Sequence, residues 1–333
     1  MPSGSMIGID QGYWHYLCVP NAWSSTDAFR HGLSNLHGTA AIAKIGAPID
    51  LGWLEIYVKN DSTASPTLDM YIFDIVELVE EKPTLYLTWD DANDEHRQVS
   101  QHLRAGTKFG GGSLGATFPA TFCVPDVLVG TANRLTAQNL RDMYAEGSSF
   151  LVHGDGAPST WSTVAASVMA GEITAFQSRV TTEGWPAAFG TGIAYIGNDH
   201  YSNTTDAQLI KAVAEANGIT YARGHSAFGS AYPLDMIGDP LKGGATFLIG
   251  QAATSVRTAA DAEKIMAFMD TCRMSMIANG HGVVPSSPGS IDVLETEFDD
   301  IFSAFGAELA LGSASRIRVA DFVASMRSAG WAP

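Results

Sequence analysis

From Pro83 onward, short apolar runs of strand length alternate with longer segments of helical periodicity, and this alternation constrains the chain more than any other feature. The strand-like runs fall at 84–89, 120–124, 150–153, 188–196, 219–222, 245–249 and 274–277. Helical patterns occupy 135–146, 163–182, 206–217, 259–273 and 294–311. Strand and helix in alternation bury their apolar faces best as parallel βαβ units. The expected fold class is therefore α/β, with a parallel sheet that is open or closed into a barrel. In both geometries ligands gather at the C-terminal ends of the strands. The helix at 135 is well signalled: Thr136 can cap it, Gly147 follows its last turn, and Leu140, Met143 and Tyr144 share a face. The Gly-rich stretch Gly106–Gly115 reads as a loop. Glu295, Glu297, Asp299 and Asp300 read as the solvated face of a late helix.

Residues 1–82 follow a different pattern. Short β-like stretches at 13–19, 40–45, 53–58 and 68–79 are separated by turn-rich pieces such as Asn60-Asp61-Ser62. They predict a small β-rich accessory module at 1–82, ahead of the α/β domain at 83–333. Trp14, Trp23 and Trp53 fit the core of such a module better than a carbohydrate platform.

Composition narrows the partners. The chain has 19 Lys+Arg against 35 Asp+Glu, a formal charge of −16, and no basic stretch. That excludes the electrostatic footprint of a nucleic-acid binder. No window approaches eighteen apolar residues, so no membrane insertion is expected. The opening MPSGSMIGIDQG has no basic run followed by an apolar one, and no secretory signal is expected. Cys18, Cys123 and Cys272 are too few and too far apart for a disulfide scaffold, and read as buried free thiols. No phosphate-binding glycine loop and no Gly-x-Ser-x-Gly elbow is present, which leaves nucleotide cofactors and serine-hydrolase chemistry without support.

The strand ends carry the chemistry. The run at 84–89 ends in Asp90-Asp91, that at 150 in His153-Gly154-Asp155, that at 193–196 in Gly197-Asn198-Asp199-His200, and that at 274 leads to Asn279-Gly280-His281-Gly282. Convergence of Asp, His and Tyr residues from separate strand ends is the pattern of an active site. Neighbouring residues within a strand face opposite ways, so Asp90 and Asp91 can both serve only if the strand stops there.

These residues carry a family resemblance. Thr88-Trp89-Asp90-Asp91 resembles the Thr-Phe-Asp-Asp motif of the NodB-type polysaccharide deacetylases, carbohydrate esterase family four. Pro119–Pro125 is similar to that family's second strand, and residues 135–147 resemble the helix that leads to its metal-histidine strand. Residues 193–198 and 206–223 resemble its Tyr-bearing strand and following helix, and His281-Gly282-Val283 its terminal His motif. The match spans about residues 83–322. It implies a distorted (β/α) barrel of NodB type and metal-dependent hydrolytic deacetylation of a polysaccharide. It further implies one divalent metal, commonly zinc, with Asp90 as general base, Asp91 and His153 as metal ligands, and His281 as general acid. Backbone N–H near Tyr195 would help hold the oxyanion. Three departures stand out. Ala157 occupies the place of the second metal histidine, for which Asp155 is the first substitute, with His96, Asp94 and His200 as further candidates. Ile196-Gly197 replaces a Pro-Tyr pair, and Ala92 replaces a Gly.

The resemblance looks closest to deacetylase domains carried by phage tail proteins, since Ile75–Glu80 has the look of the segment that precedes them. The expected substrate is then a bacterial surface glycan such as capsule or O-antigen, with the chain part of a tail fibre or spike. The expected location is the virion or the extracellular space after synthesis in the host cytoplasm. A homo-oligomer or phage tail proteins would be the protein partners. Two alternatives stay open: a degenerate barrel that binds glycan as an adhesin, favoured by Ala157, and a glycoside hydrolase on the same fold, with Asp155 or Asp199 as a second carboxylate. Trp161 and Tyr201 could stack on a sugar ring, and His225 could line the cleft.

Overall fold

In the computed structural model, β1 (Thr84–Trp89) lies at the centre of a parallel sheet, between β2 (Thr121–Val124) and β7 (Met276–Gly280). The structure describes residues 82–154, 166–196, 204–224, 241, 246–251, 255–272 and 275–333. Beyond β2 follow β3 (Ser149–Val152), β4 (Gly192–Ala194) and β5 (Tyr221–Arg223); beyond β7 comes β6 (Thr246–Ile249). The strand order is β5-β4-β3-β2-β1-β7-β6, and every pair is parallel. A further strand, β10 (Arg318–Ala320), pairs with Thr84–Tyr86, whereas β2 pairs only at Thr88 and Trp89.

The sheet is curled. In a flat sheet β5 and β1, four strands apart, would lie about 19 Å from each other, yet the side chain of Arg223 on β5 reaches Asp90 at the end of β1. This is the α/β, distorted-barrel architecture that the sequence leads one to expect. The accessory module, Asp155, Ala157, Trp161, Asp199, His200, Tyr201 and His225 lie outside the described residues.

Helices clothe the outer face: α1 (His96–Ala105), α2 (Ala137–Ala145), α3 (Ala166–Glu183), α4 (Ala187–Gly190), α5 (Thr204–Ala216), α6 (Ala259–Cys272), α7 (Glu295–Leu309) and α8 (Phe322–Ser328). The expected cap of α2 forms as a full capping box between Thr136 and Asn139, and Gly147 takes φ +93° after its last turn. Two segments differ from expectation. Helix α1 has no counterpart in the periodicity, because only Val99 and Leu103 are apolar on its buried face, beside His96 and Ser100. The apolar run at 188–196 is not one strand: Pro186 starts the short α4, and β4 begins only at Gly192. Gly192 has room for no more than hydrogen, since a Cβ there would lie 2.5 Å from Leu151 Cδ2.

The core on one side is an aromatic ladder. Phe298, Phe302 and Phe305 of α7 are fully buried, and Trp89 packs on the first two with ring centroids 5.9 and 6.4 Å apart. The solvated acidic face expected for α7 is corrected at Asp299, which is 7% exposed. Its carboxylate accepts the backbone N–H groups of Phe109 and Gly110 at 2.8 and 2.9 Å and so ties the Gly-rich loop to the barrel. Cys123 is a buried free thiol, as expected. Among the described residues no helix is long and apolar enough to cross a membrane. A small parallel ribbon, β8 (Val283–Val284) with β9 (Val293–Leu294), follows β7 at the mouth.

Candidate active site

Strand β1 stops at Trp89, which lets both carboxylates after it serve the same cleft. Asp91 has φ +77° and Ala92 φ +50°, two consecutive non-glycine residues in the left-handed region. Such backbone costs about 1–2 kcal/mol per residue. The turn is held by Arg134, which donates to the Asp91 carbonyl at 2.9 Å, and by the Leu135 N–H, which donates to the Ala92 carbonyl at 2.8 Å. Ala92 is buried, so its methyl group is accommodated where a glycine was the expected residue.

Asp90 is 1% exposed. Its N–H donates to the Gly280 carbonyl at 2.9 Å, which locks the end of β1 against the end of β7. Gly280 is needed for close approach rather than for φ. The Trp89 ring lies over it, and a Cβ would come within 2.3 Å of Trp89 Cζ3. Asp90 Oδ1 accepts a hydrogen bond from Arg223 Nη2, and Oδ2 faces His281 Nε2 at 3.8 Å. Arg223 is fully buried; it also donates from Nη1 to the Gly224 carbonyl at 3.2 Å and lies 3.7 Å from Cys123 Sγ. Burial works against its charge, but the Asp90 carboxylate outweighs it and raises the guanidinium pKa further. The Cys123 thiol is pushed well up, chiefly by burial and then by Asp90. A buried ion pair of this kind persists because each charge is the other's main compensation.

The second pair comes from β1 and β3. His153, 4% exposed, sits just past Val152, with its N–H on the Val124 carbonyl at 3.1 Å. Its Nδ1 lies 2.8 Å from the Ala194 carbonyl, so Nδ1 is the donor and the neutral ring carries its lone pair on Nε2. That nitrogen lies 3.5 Å from Asp91 Oδ1. Burial disfavours the charged imidazole, yet Asp90 and Asp91 together raise the His153 pKa. Burial likewise raises Asp91, but the protonated form of His153, by hydrogen bond and charge, prevails and holds the carboxyl below the ordinary carboxylate range. His281, by contrast, is pushed down by burial despite the nearby Asp90.

This second pair suits a divalent cation. Two tetrahedral ligands each about 2.1 Å from zinc lie about 3.4 Å apart, close to the observed 3.5 Å between Asp91 Oδ1 and His153 Nε2. The backbone carbonyl behind His153 is the usual outer partner of a ligating imidazole. No group of three metal-ligating side chains occurs among the described residues, and Asp155, the expected third ligand, lies outside them.

Asp90, Asp91, His153 and His281 are thus brought together from three strand ends. Tyr195 is not part of this group. Its N–H donates to the Arg223 carbonyl at 3.0 Å and its hydroxyl to the Leu241 carbonyl at 2.7 Å. This corrects the expectation at Tyr195 itself: its N–H is committed to the sheet and is not turned to an oxyanion. His96 turns Nε2 to the His281 carbonyl at 2.8 Å. Asp94 is exposed at the rim, beside Glu95, whose pKa burial and then Asp94 and Asp292 raise to about 7. Arg223 is the site residue that sequence reading missed. Its signal was available, as a lone arginine closing the apolar run Ile219–Ala222 at a strand end.

No family model matches the chain, and no curated protein matches it. Among solved structures it is similar to the Streptococcus pyogenes deacetylase PplD in complex with acetate, at 20% identity and a TM-score of 0.33; the match covers 43% of this chain and 56% of that one. The chain thus spans little more than half of that structure. It is also similar to the Xyl-CE4 domain of a multidomain xylanase from the hindgut metagenome of Trinervitermes trinervoides, at 12% identity and a TM-score of 0.37 over 75% of this chain and 92% of that one. A third match is a truncated 3-deoxy-D-arabino-heptulosonate 7-phosphate synthase from Thermotoga maritima, at 13% identity and a TM-score of 0.36 over 75% of this chain and 95% of that one. The matches thus include two proteins described as deacetylase or CE4 domain and one described as a synthase.

Proposed function

We propose that this chain hydrolyses acetyl groups from a polysaccharide at the mouth of the barrel. The observation that carries the reading is the buried Asp90 carboxylate, with one oxygen on Arg223 and the other 3.8 Å from His281 Nε2. That is an arrangement for moving a proton. Arg223 holds Oδ1 by a charged hydrogen bond, which leaves Oδ2 on the side of His281. Asp90 takes a proton from water as the water oxygen bonds to the acetyl carbon. Burial leaves the resting His281 largely neutral at pH 7, so it can receive that proton from Asp90 across the gap. His281 then delivers it to the departing sugar oxygen or nitrogen as the bond to the acetyl carbon breaks. The products are acetate and the free sugar group.

Asp91 and His153 would hold a divalent metal, zinc by their chemistry, with Asp155 as the proposed third ligand. Such an ion lowers the pKa of water toward about 7 and polarises a carbonyl. The finer reading is that the substrate is a bacterial surface glycan, capsule or O-antigen, and that the chain acts as part of a phage tail, alone or as a homo-oligomer. Its support is the resemblance of residues 75–80 to the segment preceding tail-borne deacetylase domains, and the acidic, lightly charged chain.

The test is acetate release from acetylated oligosaccharides, with and without chelator and added zinc. Release that depends on metal is expected. Asp90→Asn should lower kcat by at least about a hundredfold with the fold intact. New reducing ends without acetate, or full activity in Asp90→Asn, would refute the assignment.

A further inference from the structure

A fully buried histidine outside the catalytic group makes one polar contact into it. His96 opens α1, six residues after Asp90, and is 0% exposed. Its ring sits between Trp89 and Phe122, with centroids 6.0 and 5.8 Å away. Burial pushes its pKa down to about 4, so the ring is neutral and has a single N–H to give. Nε2 lies 2.8 Å from the main-chain carbonyl of His281. A carbonyl can only accept, so Nε2 is the donor, and Nδ1 finds no hydrogen-bond partner among the described residues.

β7 ends at Gly280, and beyond it the sheet no longer fixes the chain. Beyond that point the main chain is tied by residues from other segments. The Gly282 N–H donates to Asp292 Oδ1 at 3.2 Å, and the Gly282 carbonyl accepts from the Val293 N–H at 2.9 Å. The two carbonyls immediately before, those of Gly280 and His281, are both held by the segment that carries the base. The Asp90 N–H takes the first at 2.9 Å and His96 the second at 2.8 Å. Residues 90–96 thus bracket the main chain of His281 and refer its ring position to Asp90.

We propose that His96 is a positioning residue: its Nε2–H bond to the His281 carbonyl sets the distance between His281 and Asp90 and so the efficiency of proton delivery to the leaving group. This rests on the deacetylase reading above. Loss of the bond leaves a buried carbonyl unsatisfied and frees the backbone of residue 281 to shift. A misplacement of about 1 Å in a proton donor costs about a hundredfold in rate.

The experiment compares wild type, His96→Leu and His96→Gln on two acetyl esters, an acetylated sugar and 4-nitrophenyl acetate. The sugar alkoxide needs a proton to leave, whereas nitrophenolate does not. In His96→Leu, kcat on the sugar ester should fall about tenfold to a hundredfold with KM unchanged, and the rate on the nitrophenyl ester should fall far less. His96→Gln, which keeps an N–H donor, should recover most of the loss. Equal loss on both esters, no loss on either, or no recovery in His96→Gln at equal thermal stability would overturn the proposal. If wild type releases acetate from neither ester, the deacetylase reading fails by itself. The positioning claim is then judged from the His281 imidazole signals in long-range proton–nitrogen spectra. Signals shifted or split in His96→Leu sustain it, and unchanged signals overturn it.

Discussion

Arg223→Met is the most informative single change, because it removes a charge without removing volume. Arg223 is 0% exposed and Asp90 1%, so neither charge is screened by water, and each is the other's principal compensation. Deleting one member of such a pair leaves the other buried charge without its hydrogen-bonded counter-ion, at about 3–5 kcal/mol. Deleting both leaves a neutral cavity floor, and much of that loss should return. We therefore expect Arg223→Met to lower unfolding stability by about 3–5 kcal/mol near neutral pH, and the double variant with Asp90→Asn to be more stable than Arg223→Met alone. The sign with pH is fixed too. An isolated buried carboxylate escapes its penalty by taking up a proton, so the destabilisation of Arg223→Met should shrink as the solution is made acidic and grow toward alkaline pH. The assay is urea unfolding of the four proteins of the cycle at several pH values, read from the midpoint with the slope unchanged. A cost below about 1 kcal/mol, or two single losses that simply add in the double variant, would refute the claim that this pair is coupled and desolvated.

Three further outcomes are expected. His96 has a folded pKa of about 4 against an unfolded 6.5. Its contribution is whole above pH 6.5, is lost as pH falls toward 4, and amounts to about 3 kcal/mol; His96→Gln should flatten the stability curve in that window, and an unchanged curve would count against it. Asp299→Ala removes the acceptor of two backbone N–H groups and should cost about 1–3 kcal/mol, with faster amide exchange at Phe109 and Gly110 as the local readout. Gly280→Ala places a methyl against the Trp89 ring and should cost about 1–3 kcal/mol; because Gly280 carries the carbonyl that holds the Asp90 N–H, activity should fall more than stability does.

The sequence by itself determined whatever depends on local order. Alternating periods are properties of consecutive residues, so the α/β class was legible, as was the Thr136 cap of α2. So was the placing of Asp90, Asp91, His153 and His281 at strand ends, since side chains at those positions face the same mouth whatever the strand order. The turn at Asp91-Ala92 was legible only as a requirement: both carboxylates needed the strand to end.

Tertiary structure decided what depends on closure of the sheet. Arg223 meets Asp90 across 133 positions of chain because the sheet curls, and no periodicity encodes that. Asp299 reads as one more acid on a wet helix until α7 is laid beside the Gly-rich loop, and Tyr195 reads as a site residue until β4 pairs with β5 and claims its N–H. His96 shows the limit most clearly. In sequence it is a histidine near two aspartates and so a candidate ligand. In the fold its ring is turned into the aromatic layer under α1, and its one donor goes to the main chain of His281, 185 residues away. Side-chain chemistry fixes what a residue can do, but which atom it meets is decided by packing, and packing is a property of the whole barrel.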